Sequence, residues 1–271
     1  MTFLEWLFSS YPNPHINGQW GLGHILTLIS ITIFVTLLSI VLNKFDNKGK
    51  GKKITLISLV ILILLFEIIR RTVNIIKLNG NITLDNILKI LLPRPWCAIS
   101  CWVLILSVRI NKNFFYNFAS ITSMLCSVIF FAYPGVGYNN QYILFENLYS
   151  IMTHTLLLTT SILLITLKFT KFEFKGIWNE ALCLLGVYIY SLIEIFILKI
   201  AADPLYYMPN GDITHILGIN SYPIYLLIYC VFIMMWGSIF YLISKIHKTR
   251  KKGKKIEPQD VNNEIASRVK I

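Results

Sequence analysis

Long hydrophobic runs alternate with short polar segments along the chain, a pattern typical of a protein that crosses a membrane several times. A bilayer core about 30 Å thick needs roughly 20 apolar residues per helix. Seven runs approach that length. The predicted spans are residues 21–42, 54–77, 96–110, 114–133, 148–168, 177–201 and 222–245. We therefore predict an all-α membrane bundle of seven transmembrane helices over residues 1–245, followed by a basic cytoplasmic tail over residues 246–271.

The third predicted span is the shortest, and the segment before it is unusual. Residues 84–92 are apolar, and Pro93 and Pro95 separate them from the span. Because proline interrupts a helix, this stretch cannot simply extend the third span. We expect residues 84–92 to lie at the membrane interface before the third helix begins.

Composition and the distribution of charge refine this picture. The chain is 55% hydrophobic and only 14% charged, whereas an average soluble domain is about one quarter charged. Most of its 25 Lys and Arg residues follow spans one, three and five or lie in the tail. Cytoplasmic loops are enriched in basic residues, so the amino terminus is predicted outside and the tail inside. The expected location is the plasma membrane, with several passes.

The same distribution excludes other classes of protein. The net charge of +12 comes from short loops and the tail and not from one basic face, so no nucleic-acid partner is predicted. The five cysteines lie inside or beside apolar runs, which argues against a disulfide framework or a paired-cysteine metal site. No Gly-rich nucleotide loop is present. We predict no metal and no cofactor.

Ionisable side chains inside predicted spans are the first candidates for a functional site, because burying them in lipid is costly. With the amino terminus outside, these candidates fall at similar depths near the outer leaflet although they are scattered along the sequence. They are His24, Glu67, Arg70, Arg71, Cys97, His154 and Glu194. We therefore expect one shared polar pocket on the outer side.

Glu67, Arg70 and Arg71 have the spacing that places side chains on one face of a helix. Two interpretations remain open. The three residues form an internal ion pair near the interface, or the guanidinium groups bind the phosphate of a lipid.

Cys97 and His154 are the pair suited to covalent chemistry, since a thiol becomes a strong nucleophile when an imidazole takes its proton. The alternative is that Cys97 only packs and that His154 is a hydrogen-bonded interior group. Cys101 lies one helical turn from Cys97 on the same face and is the natural comparison.

Other residues are expected to border this pocket. His24 follows two glycines in GQWGLGHIL and either reaches the ligand or anchors the helix at the interface. Trp96, Tyr222 and Tyr225 fall at the level of the lipid headgroups, where aromatic residues are enriched.

Several short motifs, in matching order, resemble one family of membrane proteins. These motifs are GLGHILTL around His24, LLPRPWCAIS around Cys97, FAYPGVGYNNQYILFENLYSIMTHTLL ending beside His154, and LYYMPN followed by LGINSYPIYLLIY. The chain resembles the YwaF-type bacterial integral membrane proteins and their eukaryotic relatives, the transmembrane acyltransferases of ether-phospholipid remodelling. The resemblance covers nearly the whole chain and implies a helical bundle of this span number.

The resemblance also implies roles for two residues. In that family a Leu-Pro-x-His-x-Cys element opens the third span, and a histidine two helices later completes the proposed catalytic pair. Carried over, Cys97 accepts the acyl group and His154 is its base. This chain departs from the pattern at one position, because Pro95 replaces the histidine expected two residues before the cysteine. The wider superfamily also resembles androgen-induced and androgen-dependent membrane hydrolases, which cleave fatty-acid esters.

The sequence therefore predicts a lipid acyltransferase or acyl hydrolase that acts on a membrane phospholipid or fatty acyl ester through a thioester on Cys97. In this reading Arg70 and Arg71 hold the phosphate, and Glu67 orients one of them or His24. Two alternatives belong to other classes of protein. One is a lipid-binding protein or transporter whose buried charges line a passage. The other is a membrane assembly factor in which Cys97 only packs.

Overall fold

The computed structural model is mainly helical, and no strand occurs among the described residues. The described residues are 3–8, 20–46, 48–132, 137–138, 143–173, 176–199 and 221–256. In chain order the helices are α1 (Phe3–Phe8), α2 (Leu22–Phe45), α3 (Lys50–Lys77), α4 (Leu84–Leu91), α5 (Trp96–Ile110), α6 (Asn113–Ala132), α7 (Phe145–Thr166), α8 (Ile177–Leu192) and α9 (Tyr222–Ile256). A π-helical turn, Ile193–Ile197, extends α8.

Several of these helices are long and apolar enough to cross a membrane. Five qualify by length and composition, namely α2, α6, α7, α8 with its π-helical turn, and Leu227–Ile246 within α9. The pair α4 and α5 qualifies as a sixth if it forms one broken span. Helix α3 is long enough, but Glu67, Arg70 and Arg71 interrupt its apolar run. The chain is thus a multi-pass membrane protein with five or six candidate spans.

Each predicted hydrophobic run overlaps one helix, and most of the described helix ends lie within a few residues of the predicted ones. The main difference is at the carboxyl end, where α9 continues to Ile256 through the basic residues that follow position 245. Lysine and arginine are good helix formers, so the hydrophobic boundary does not end the helix.

Burial separates central from peripheral helices. About 61% of the apolar window of α6 and 50% of that of α7 is buried, against 11% for α2 and 17% for α8 and for α9. The main core joins α3, α5, α6 and α7 through residues such as Ile63, Leu104, Ala119 and Leu157. Peripheral helices that are apolar on all sides are stable only where lipid covers them. This arrangement places α2, α8 and α9 at the periphery of the bundle.

Helices α4 and α5 meet at a bend of 65°, which confirms that the prolines separate this apolar segment from the helix that follows. Thr83 caps the start of α4, since its hydroxyl accepts a hydrogen bond of 3.2 Å from the Asn86 amide. At the other end, Arg71 Nη1 donates to the carbonyl oxygens of Ile90 and Leu91. The last carbonyl oxygens of a helix have no donor within it, and here the Arg71 guanidinium supplies one.

Candidate functional site

An elongated cavity of about 850 Å³ lies among α5, α6, α7, α8 and α9, and the carboxyl-terminal part of α3 also contributes to its wall. Its wall is mainly apolar and includes Leu125, Ile129 and Phe232. On α9 the lining extends from Ile228 to Tyr241, which corresponds to roughly 20 Å of helix at 1.5 Å per residue. Long apolar cavities with a few polar groups are the usual form of sites for apolar ligands.

Four of the predicted site residues line this cavity. They are Arg70, Trp96, Cys97 and His154. The four residues come from α3, α5 and α7, so three separate segments of sequence converge there. The structure therefore brings the predicted Cys97 and His154 pair into one apolar cavity together with a guanidinium.

Cys97 is the second residue of α5, directly after the bend that follows α4. Pro95 precedes the helix and cannot donate a backbone hydrogen bond, so the chain turns into α5 at this point. The first N–H groups of a helix have no acceptor within it, and the dipole makes this end positive. An anion, such as a phosphate or the oxyanion of an ester under attack, is therefore favoured beside Cys97.

The other nearby cysteines differ from Cys97 in their surroundings. Cys101 is fully buried, with 0% of its surface exposed, and packs in the core away from the cavity wall. Cys126 lines the cavity, but its Sγ lies 3.5 Å from Ser100 Oγ in a hydrogen-bonded contact. Cys126 is therefore the better comparison for Cys97, since both thiols face the same space.

His154 is held in one orientation by its backbone and by an aromatic ring. Its Nδ1 lies 2.7 Å from the carbonyl oxygen of Ser150, one turn earlier in α7. The imidazole stacks on Phe130 with ring centroids 3.8 Å apart and planes 7° from parallel. Because a carbonyl oxygen only accepts, Nδ1 carries the proton and Nε2 keeps its lone pair. In this tautomer Nε2 is suited to accept a proton.

Glu67 lies at the centre of a buried charge network behind the cavity wall. Only 1% of its surface is exposed. Its Oε2 lies 2.9 Å from Arg71 Nη2 and 3.2 Å from Arg70 Nη2, and its Oε1 accepts a hydrogen bond from the Tyr149 hydroxyl. The carboxylate is thus fully paired, as a buried charge requires.

The two arginines of this network face different partners. Arg71 divides its guanidinium between Glu67 and the last carbonyls of α4, and it packs over Trp102. Arg70 lies over the ring of Tyr149, 5.2 Å from its centroid, and lines the cavity. Arg70 is therefore the guanidinium that a ligand can reach, whereas Arg71 holds α4 in place.

Trp96 contributes to the wall of the cavity. Its indole Nε1 donates a hydrogen bond to the hydroxyl of Tyr229, which joins the start of α5 to α9. Both residues line the cavity.

The remaining predicted site residues lie elsewhere. His24 is buried among the rings of Trp20, Phe131 and Tyr138, and its Nδ1 accepts a 3.1 Å hydrogen bond from the Trp20 amide. Glu194 lies in the π-helical turn, where it accepts a 2.5 Å hydrogen bond from the Tyr190 hydroxyl.

Neither His24 nor Glu194 lines the cavity. The Glu194 carboxylate is 4.0 Å from Arg94 Nε, so it belongs to the bend between α4 and α5. Tyr222 and Tyr225 begin α9, and their side chains lie outside the described residues.

Two residues that the sequence did not single out are part of the site. Tyr149 lies five residues before His154 and looks like one more apolar position in α7. Glu180 is an ionisable residue within a predicted span, which is a readable signal. Its position at the start of the predicted span 177–201 separates it from Glu194 and the other candidates grouped near the outer leaflet.

No protein-family model matches the chain, and no curated protein or solved structure is significantly similar to it. The resemblance to the YwaF-type proteins therefore stays a prediction. What the chain does must be inferred from the chemistry of the cavity.

Proposed function

We propose that the protein is a membrane-embedded lipid acyltransferase or acyl hydrolase that carries the acyl group as a thioester on Cys97. One observation carries the proposal, namely that Cys97, His154 and Arg70 line the same elongated apolar cavity. A fatty acyl chain fits such a space, and in this proposal its ester carbonyl lies beside Cys97. Neither a nucleotide nor a water-soluble substrate suits a wall of this kind.

The chemistry follows from the groups beside Cys97. Nε2 of His154 takes the proton of the Cys97 thiol, and the sulfur attacks the ester carbonyl. The ester bond breaks, the leaving alcohol receives the proton from His154, and the acyl group remains as a thioester. In the second half, His154 takes a proton from an alcohol, an amine or water, which attacks the thioester. The Cys97 thiol then forms again.

Arg70 is suited to bind the phosphate of the substrate, because its guanidinium lines the cavity and is held by Glu67 and Tyr149. Arg70→Lys should lower the rate with a phospholipid donor by about tenfold or more, since a point charge cannot form a bidentate contact. The rate with a neutral glycerol ester as donor should change little. Rates measured with both donors check this, and an equal loss with both would remove Arg70 from phosphate binding.

We also propose that α3 and the pair of α4 and α5 each cross the bilayer, which gives seven spans with the amino terminus outside and the tail inside. Two arguments support this topology. The basic loops follow alternate spans. The charges in α3 are internally paired, which lowers the cost of placing that helix in lipid. The bend at residues 92–95, and with it Cys97, then lies near the outer surface of the plasma membrane.

Labelling of single cysteines in intact cells tests this topology. In a chain without its native cysteines, Asn81→Cys should react with a membrane-impermeant thiol reagent, whereas Lys48→Cys should react only after the membrane is opened. Both positions are exposed. If both sites proved to be on the same side, α3 would not cross the membrane. The reverse pattern would place Cys97 at the inner leaflet.

The cavity also suits a second function, because it continues far past Cys97 and has buried polar groups at both ends. That shape also suits a lipid-binding protein or a carrier of amphiphilic molecules that performs no chemistry. The two functions differ in whether a covalent intermediate forms. An enzyme of the proposed kind forms a thioester that neutral hydroxylamine cleaves, whereas a carrier binds lipid and forms none.

A further inference from the structure

Glu180 lies at the end of the cavity opposite Cys97 and has no part in the proposed acyl transfer. It occupies the first turn of α8, where the positive end of the helix dipole favours a carboxylate. Only 6% of its surface is exposed, and the residue lines the cavity. A buried carboxylate thus borders an apolar space within a membrane protein.

Among the described residues, one carboxylate oxygen of Glu180, Oε1, accepts a hydrogen bond, whereas the other, Oε2, accepts none. The Tyr241 hydroxyl donates a hydrogen bond of 2.5 Å to Oε1, and Asn117 Nδ2 lies 3.5 Å from the same hydroxyl. Among the described residues, no Lys, Arg or His forms an ion pair with Glu180. The carboxylate is therefore positioned by neutral groups and has no protein counter-charge there.

Gly237 lies beside Oε2 of Glu180, and its lack of a side chain leaves room for this atom. A Cβ atom at Gly237 would lie 3.2 Å from Glu180 Oε2, so any larger side chain would crowd this atom. Both residues line the cavity. Glu180 Oε2 thus packs against the bare backbone of Gly237 at the cavity wall.

A buried charge needs a partner, because an isolated carboxylate in an apolar medium is strongly unfavourable. We infer that this end of the cavity binds an organic ammonium group carried on an apolar chain. Such a ligand places its cation against Glu180 and its chain along the apolar wall, and aromatic side chains such as Tyr241 and Phe118 line the same end.

An inorganic cation fits less well at this end. Hard metal ions bind six or more oxygen atoms. Among the described residues that line this part of the cavity, the side chains that offer oxygen are Glu180, Ser238, Tyr241 and Thr122, which are too few for such an ion. An alkylammonium ion needs only the carboxylate and the apolar wall.

Binding of dodecylammonium to the purified full-length protein in a nonionic detergent tests this inference, with dodecanol as the uncharged comparison. Wild type should bind the amine saturably and at least about tenfold more tightly than the alcohol. Glu180→Gln should remove this preference while leaving dodecanol binding unchanged. Gly237→Ala should weaken amine binding alone, because it crowds Oε2 and keeps the charge.

Glu146→Gln is the matched control, since it removes a carboxylate from the opposite end of the same cavity. It should leave amine binding unchanged, as should Cys97→Ser. The inference is overturned if wild type does not prefer the amine, or if Glu180→Gln retains the preference. Should Glu180→Gln fail to fold, Gly237→Ala decides in the same way. None of these outcomes depends on acyl transfer, so failure here leaves the proposed function intact.

Discussion

Replacing either Cys97 or His154 should abolish formation of the acyl thioester. In the experiment, purified protein receives a phospholipid with a labelled acyl chain, and the label that neutral hydroxylamine releases is measured. Cys97→Ser should lose this label completely, because an ester to serine resists neutral hydroxylamine. His154→Ala should form it about 10² to 10⁴ times more slowly, the usual contribution of a general base. The double variant should be no worse than the more severe single one, since the two residues act as a unit.

Two other cysteines provide the controls for this series. Cys101→Ser should label like wild type, because Cys101 is buried away from the cavity. Cys126→Ser is the stricter control, since Cys126 lines the cavity but is hydrogen-bonded to Ser100. If Cys126→Ser lost the label and Cys97→Ser kept it, the nucleophile would be Cys126. If all variants labelled like wild type, the covalent mechanism would be wrong.

Glu67→Gln should destabilise the protein more than any other single charge removal in α3. Its carboxylate pairs with both Arg70 and Arg71, and removing one partner of a buried ion pair costs about 3 to 5 kcal/mol in the free energy of unfolding. For a chain of this size that loss lowers the melting temperature by roughly 10 °C. Thermal unfolding of the detergent-solubilised protein measures the change.

The pair of Lys77 and Glu146 provides the matched control for Glu67. Its N···O distance is 2.7 Å, but 48% of the Glu146 side chain is exposed. Exposed ion pairs contribute about 0 to 1 kcal/mol, so Glu146→Gln should shift the melting temperature very little. Equal shifts for Glu67→Gln and Glu146→Gln would show that the network around Glu67 does not hold α3 and α4 together.

The positions of the helices could be predicted from the sequence because lipid imposes a simple rule. A span must be apolar over about 20 residues, so its ends are visible as changes in composition. The same rule predicted the bend before Cys97, where Pro93 and Pro95 interrupt the pattern. It did not predict where α9 ends. Lys and Arg mark the end of the apolar run, but they are also good helix formers, so the helix continues past that point.

The site was harder to predict, because the sequence indicates the depth of a residue in the membrane but not the direction in which its side chain points. Orientation placed Arg70, Arg71 and Glu194 at similar depth, but it does not say towards which neighbour each side chain points. Arg70 faces the cavity, whereas Arg71, one residue later, turns to the carbonyls of α4. Glu194 turns to Tyr190 and Arg94. These directions depend on how the helices pack against each other, and the sequence of one span does not show this.

The central claim is that Cys97 carries an acyl group, and mass spectrometry of the wild-type protein tests it most directly. The protein is incubated with a phospholipid bearing a labelled acyl chain, digested, and its peptides are compared before and after neutral hydroxylamine. We predict an added mass equal to the acyl group on the peptide that contains Cys97, lost on hydroxylamine treatment and absent from the peptide that contains Cys126. Acylation found only at Cys126, or on no cysteine with any class of lipid tested, would contradict the claim.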